Sequence, residues 1–265
     1  MAKYTEKIDL ILNKRGVHDI DPFKGCHYGI NSMYTNKNFG LFEVDYSNKN
    51  GCYGICYANS IAKFRGFDFS KSVKRLFIND KHIEKIGEKL KKIEFVRLGV
   101  SCDPSHDWEH TLKIIEKIKI YNKNIVVITK HWNNLTYKQC VRLKDIVVNT
   151  SISALDSDMQ IDNRMFWYNK LKLFCKSVLR VNTANFNDIR LTEKQDKLLK
   201  NENVIDNVLR IPKNHILVKN SIVNVKKYKF LSGYTYASKH DENVFFGYCN
   251  DCKDKCGITD LQIQV

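Results

Sequence analysis

The sequence predicts an α/β fold built from parallel βαβ units. Short apolar runs recur between about residues 93 and 211, each bounded by polar turns. Stretches with apolar residues at helical spacing separate them. Each run also ends on polar or ionisable residues, as strands do where a parallel sheet gathers its chemistry. Right-handed units of this number close a barrel, an open partial barrel or a doubly wound sheet.

Taken in order, Met1 to Lys7 opens an amphipathic helix within an N-terminal extension, residues 1–38. The core spans residues 39–225. Its first strand is the stretch Phe39 to Tyr46, where Phe42 and Val44 alternate with charge, and a helix-like stretch follows from Ala58 to Phe64. Ile93 to Val100 reads as a buried strand, and Trp108, Leu112 and Ile115 then recur at helical spacing. Asn124 to Thr129 is the next strand, with Leu135, Val141 and Leu143 on the helix after it. Ile146 to Ser151 precedes a helix from about Asn163 to Phe174. Val178 to Asn182 precedes one from about Thr192 to Leu199, and Val204 to Ile211 completes six strands. A C-terminal extension, residues 226–265, begins with Lys226-Lys227-Tyr228-Lys229-Phe230, whose interleaved charge and aromatics fit a nucleic-acid surface or an amphipathic edge strand.

Composition narrows the class. The 43% hydrophobic content suffices for one large domain or two small ones, and three prolines without low-complexity sequence leave no obvious linker. No apolar run approaches the roughly 18–20 residues that span a bilayer, and the N-terminus lacks the apolar core of a signal peptide. The expectation is a soluble, cytoplasmic protein with no membrane partner. In that setting nine cysteines point to metal or redox chemistry rather than disulfides. The net charge of +15 attracts polyanions, although a Lys-, Asn- and Ile-rich composition raises charge without any ligand.

The cysteines are grouped. Cys52 and Cys56 lie in Gly51-Cys52-Tyr53-Gly54-Ile55-Cys56-Tyr57-Ala58-Asn59, a polar loop after a strand. Cys26 lies upstream beside His27. Cys249-x2-Cys252-x3-Cys256 has metal-site spacing and suits a zinc site completed by His240 or another thiol, or a second iron–sulfur cluster. Cys140 and Cys175 fall on apolar faces of expected helices and read as packing residues. The remaining strand ends carry Ser101-Cys102-Asp103-Pro104-Ser105-His106, Thr129-Lys130-His131-Trp132, Ser151-Ile152-Ser153 through Asp156 with Arg164 beyond, Arg180-Val181-Asn182-Thr183, and Arg210-Ile211-Pro212-Lys213.

In this order the motifs resemble the radical SAM superfamily, over roughly residues 39–211. Cys52-x3-Cys56-Tyr57-Ala58-Asn59 is similar to that family's variant loops ending in C-Y-A or C-Y-A-N. Ser101-Cys102-Asp103-Pro104 loosely matches its second-strand Gly-Gly-Glu motif. Thr129-Lys130 resembles the third-strand T-K of spore photoproduct lyase-like and phage-encoded members. Ser151-Ile152-Ser153 with Arg164 resembles the fourth-strand Ser and following Arg.

The resemblance implies a partial (β/α)6 TIM-type barrel. It implies a 4Fe-4S cluster held by three thiolates, S-adenosyl-L-methionine on the open iron site, an electron donor, and a 5′-deoxyadenosyl radical acting on substrate. Asp103 would then meet the methionine ammonium, and Ser151 or Ser153 with Arg164 its carboxylate and ribose. Lys130 and Arg180 would join the cofactor-binding set. The family's spacing puts a third cysteine where Asn59 stands. Cys26 completes the set with Cys52 and Cys56, or a thiolate from Cys249, Cys252 or Cys256 does, or the fold serves without a cluster. The substrate implied is large or anionic, with nucleic acid or a nucleotide among the candidates. The alternative class is a zinc or iron–sulfur protein that grips nucleic acid without catalysis.

Three further readings concern single residues. His106 and His110 lie one helical turn apart and have the spacing of a metal pair, although lining or helix-start roles are commoner. Asp103-Pro104-Ser105 also reads as a helix N-cap. Lys130-His131-Trp132 has the chemistry to stack on a base and pair with a phosphate, although surface packing is the commoner role.

Overall fold

The computed structural model describes residues 10–13, 16–29, 34–36, 42–44, 56, 58, 62, 66, 73–122, 124–212, 216–227, 234–237 and 249–258. Among them one sheet runs through nine strands: β1 (Ile11–Leu12), β2 (His18–Asp19), β3 (Val96–Leu98), β4 (Ile125–Thr129), β5 (Val147–Ile152), β6 (Lys176–Thr183), β7 (Val204–Pro212), β8 (Lys226–Lys227) and β9 (Tyr234–Ala237). Their spatial order is β1-β2-β3-β4-β5-β6-β7-β9-β8. Strands β2 to β7 pair in parallel, while β1, β9 and β8 add antiparallel edges. The result is a mixed α/β fold whose mostly parallel sheet curls into a half-barrel.

Helices α1 (Asp80–Leu90), α2 (Trp108–Lys119), α3 (Tyr137–Arg142), α4 (Asp158–Leu171) and α5 (Ile189–Leu199) connect the parallel strands or precede them. One face of the sheet packs on helices. Val96, Leu98, Ile125, Val127, Ile146 and Val148 meet Ile83, Ile86, Leu90, Leu112, Ile115 and Trp167 in the main core. Because strand side chains alternate, Arg97, Val126, Val147, Asn149, Val178 and Arg180 belong to the opposite, inner face. Part of that face is covered by residues 249–258: Cys249, Cys256 and Ile258 pack against Val17, Phe95, Val126, Val147 and Val178.

The expected strands from Ile93 onward and the helices between them are present with shifted ends. The first expected strand is a correction. Phe42–Val44 pairs antiparallel with Tyr34–Asn36 in a separate two-stranded sheet, and the parallel run begins instead at β2. Alternating charge at Phe42 and Val44 reports a strand but not its partner. A two-residue strand such as β2 has no period to read. Helix α1 was not anticipated, although Ile83, Ile86 and Leu90 fall on one buried face and the Asn79 side chain accepts from the His82 N–H at 2.9 Å. Cys140 is buried in α3 as expected, but Cys175 lies past the end of α4, its thiol donating to the Leu171 carbonyl. Lys226–Lys227 does form an edge strand, and Tyr228 to Phe230 lie outside the described residues, as does Met1 to Lys7. Among the described residues no helix is long and apolar enough to cross a membrane.

Candidate functional site

The C-terminal ends of β3, β4 and β5 meet a short segment that leads out of β2. Gly99 makes the turn after β3 with φ +87; a Cβ there would lie 2.2 Å from the Ile128 carbonyl oxygen and 2.4 Å from Pro104. Only glycine fits both the dihedral and the approach. The turn aims the Val100 and Ser101 N–H groups at Asp21, whose carboxylate accepts from them at 2.9 and 3.1 Å. The Cys102 thiol points at the same carboxylate, 3.7 Å away. Burial pushes both acids up: Asp21 with Asp19 adding to it against the Ser101 and Val100 N–H groups, and Cys102 well above the usual thiol range with Asp21 and Cys26 adding to it. Cys102 is thus a protonated donor at neutral pH.

From Asp21 the segment lies along the strand tips. Phe23 sits 5.2 Å from both His106 and His110, the ring of His27 is 5.0 Å from that of His106, and Tyr28 stacks on Trp132 at 4.6 Å and 10°. Cys26 lies between these contacts, and Cys26, Ala58 and Ala62 form one buried cluster with Tyr28 and Cys56 packed against it. The structure therefore brings Cys26 and Cys56 together at the tips; Cys52 and Asn59 lie outside the described residues.

Lys130, at the tip of β4, is clamped through its peptide. Asp103 Oδ2 accepts from its N–H at 2.9 Å, and Arg164 Nε donates to its carbonyl at 3.0 Å. Asp103 Oδ1 also accepts from Ser105 N–H, Ser105 Oγ and Thr129 Oγ1 at 2.9, 2.7 and 2.7 Å. This includes the expected N-cap, on a short 3-10 turn, Pro104–His106. Arg164 is 1% exposed, pairs with Asp156, and lies 5.0 Å from the Trp132 ring. Lys130 Nζ approaches the same Asp156 at 3.5 Å. Burial pushes the Asp156 carboxyl up, against the pull of Arg164 and the Ser153 N–H. Asp103 thus spends both carboxylate oxygens inside the protein, whereas Arg164 has only Nε in a hydrogen bond and its two terminal nitrogens are buried without one, beside the paired Asp156.

Ser153 is fully buried, its hydroxyl accepting from Leu155 N–H at 3.2 Å; Ser151 accepts from Asn182 Nδ2 at 2.9 Å. His131 is 1% exposed between Trp108 and Trp167, so it meets no ligand from solvent. His106 and His110 are not a metal pair on one helix. Asp107, extended at φ −150, separates their helices, and His110 Nε2 contacts the Pro22 carbonyl at 3.1 Å.

On the inner face Arg97 forks onto Asp19 at 2.9 and 3.3 Å. Arg180 donates to Asn207 at 2.6 Å and reaches the Cys256 sulfur at 4.0 Å. Cys249 and Cys256 share the inner-face cluster, while Cys252 is outside it and half-buried; His240 lies outside the described residues. Among the described residues no three His, Cys, Asp or Glu side chains converge to hold a metal ion. The residues missed from sequence are Asp19, Asp21, Tyr28 and Arg97. Asp19 and Asp21 lie in and just after a strand too short to show a period, so the sequence carried no signal for them. No family model matches the chain, and no curated protein matches it.

Proposed function

We propose that the chain is an iron–sulfur enzyme that reductively cleaves S-adenosylmethionine and applies the 5′-deoxyadenosyl radical to a large or anionic substrate, on a partial (β/α)6 TIM-type barrel. The observation that carries the reading is the meeting of Cys26 and Cys56 at the strand tips, from segments far apart in sequence. A soft, all-thiol donor set suits iron and sulfur. When bound, a 4Fe-4S cluster supplies the electron that breaks the sulfonium carbon–sulfur bond. Cys26, Cys52 and Cys56 are the residues that would hold it.

The chain's own work is placement. Asp103 and Arg164 fix the Lys130 peptide from its two ends, so they act as positioning residues rather than as direct contacts. Ser151, on the same face as its register partner Arg180, then stands where a cofactor can be oriented, and Lys130 holds its ammonium beside Asp156. The packed tips and the stacked Tyr28 and Trp132 limit the entry of water.

Anaerobic reconstitution with iron and sulfide tests the proposal. The expected result is a brown protein that yields 5′-deoxyadenosine from S-adenosylmethionine and dithionite. A colourless zinc protein that binds DNA with steep salt dependence would establish the non-catalytic alternative.

A further inference from the structure

Helix α4 is apolar on two sides. Trp167, Tyr168 and Leu171 are buried in the core. On the opposite side Met159, Phe166 and Leu173 are 73%, 55% and 81% exposed, the last in the turn that follows the helix. Helix α1 shows the ordinary arrangement, with Glu84, Lys85, Glu88 and Lys89 turned to solvent and Ile83, Ile86 and Leu90 buried. The three exposed side chains of α4 stand seven residues apart, so they form one stripe along the helix. Single exposed apolar residues are ordinary, but an aligned set marks a surface made to be covered. Helix α3 widens it. Tyr137 and Val141 are exposed one turn apart, and the Tyr137 ring meets that of Phe174, the neighbour of Leu173 in the chain, at 5.6 Å.

The order of residues along the stripe says what covers it. Its apolar pattern is symmetric about Phe166, with Met159 seven residues before and Leu173 seven after. Its charge is not symmetric. Asp158 and Asp162 lie in the first half of α4, Lys170 and Lys172 at its end. Lys194 answers Asp158 and Glu202 answers Lys172, which leaves Asp162 toward one end and Lys170 toward the other among the described residues. The Lys170 ammonium borders the stripe, over the rings of Phe166 and Trp167 at 5.3 and 4.9 Å.

We propose that the chain forms a homodimer through this face, with α4 of two copies packed antiparallel across a two-fold axis at Phe166. In that arrangement Phe166 meets its counterpart, Met159 meets Leu173, and the acidic half of each helix lies over the basic half of the other. A parallel pair would set like charges and like helix dipoles side by side. Nucleic acid fits the face less well, because Met159, Leu173 and Val141 offer no ring for a base and Asp162 repels phosphate. The dimer rests on no cofactor, so it stands or falls apart from the enzymatic reading.

Sedimentation of the full chain from about 1 to 100 μM should show a monomer–dimer equilibrium, and Phe166→Asp should weaken it by about 30-fold or more. Because the side chain is exposed, Phe166→Asp should keep the wild-type Tm. Disulfide cross-linking reads the geometry without depending on that variant. With copper–phenanthroline, Phe166→Cys should cross-link to itself above the wild-type baseline. Met159→Cys and Leu173→Cys should cross-link when mixed but not separately. A monomer across the whole concentration range would overturn the proposal. So would a dimer that Phe166→Asp leaves intact, or Met159→Cys cross-linking to itself as fast as in the mixture. Loss of DNA binding in Phe166→Asp with the oligomeric state unchanged would assign the face to nucleic acid instead.

Discussion

Asp156 answers two cations at once, and its partners differ in how replaceable they are. Arg164 is 1% exposed and Asp156 is fully buried on its side chain, so removing the guanidinium strands a carboxylate. Arg164→Met is expected to cost about 3–5 kcal/mol, and Asp156→Asn in the same chain to recover part of it. Chemical denaturation of the two single variants and the double variant measures the coupling; additive losses would show that the pair is not a unit. His131 gives a second residue-scale expectation. Burial, with Arg164 adding, pulls its pKa down from 6.5 to about 3. The folded chain therefore protonates it later than the unfolded chain does. Its contribution is complete above pH 6.5 and drains as pH falls toward 3, by up to ~4–5 kcal/mol. His131→Gln should flatten the stability profile across that window, and an unchanged slope would reject the assignment.

At the scale of elements, what was legible had a period. The strands β3 to β7 and helices α2, α4 and α5 repeat apolar residues at spacings that survive without knowledge of the partner. Strand β2 is two residues long and Phe42–Val44 belongs to a local hairpin, so sequence placed the wrong strand at the head of the parallel run. Site residues were legible by type where they ended a strand: Asp103, Lys130, Ser151, Arg164 and Arg180 were all singled out. Their roles were not legible, because whether Asp103 faces a ligand or the Lys130 peptide depends on a turn set by Gly99. That turn makes its own prediction. Gly99→Ala combines a left-handed dihedral with a 2.2 Å clash against backbone, and should cost at least ~1–3 kcal/mol by urea unfolding. Asn79→Ala, which removes only the α1 cap, should cost about 1 kcal/mol. A ranking in the opposite order would mean that the turn relaxes.

At the scale of the whole molecule, five of the described thiols divide between two places, Cys26, Cys56 and Cys102 at the tips and Cys249 and Cys256 on the inner face, while Cys140 and Cys175 pack in the helix-side core. Cys26→Ala and Cys56→Ala should each remove one cluster's worth of iron from the reconstituted protein and abolish 5′-deoxyadenosine formation. Full iron in both would place the cluster elsewhere or eliminate it. Substituting Cys249, Cys252 and Cys256 together by Ser should lower metal content by a separate increment, of zinc or of iron and sulfide, and an unchanged metal count would show that these thiols hold no metal. Composition made the thiols visible as a class, but their partition between two surfaces depends on a chain reversal that places residue 256 beside Asn149.

That reversal has a consequence in time. The contacts that close the inner face span the chain, Lys255 to Glu94 and Cys256 to Asn149. On a ribosome the N-terminal strands emerge first, and β2 to β7 are complete before residue 249 exists. The part of the inner face under residues 249–258 therefore gains that cover only after β7 has been made. Lys255, Cys256 and Gly257 hold successive left-handed dihedrals of 37, 57 and 89°, a bend that docking must stabilise. Access to that part of the face is easiest before residues 249–258 have been made, and these are the residues that cover it.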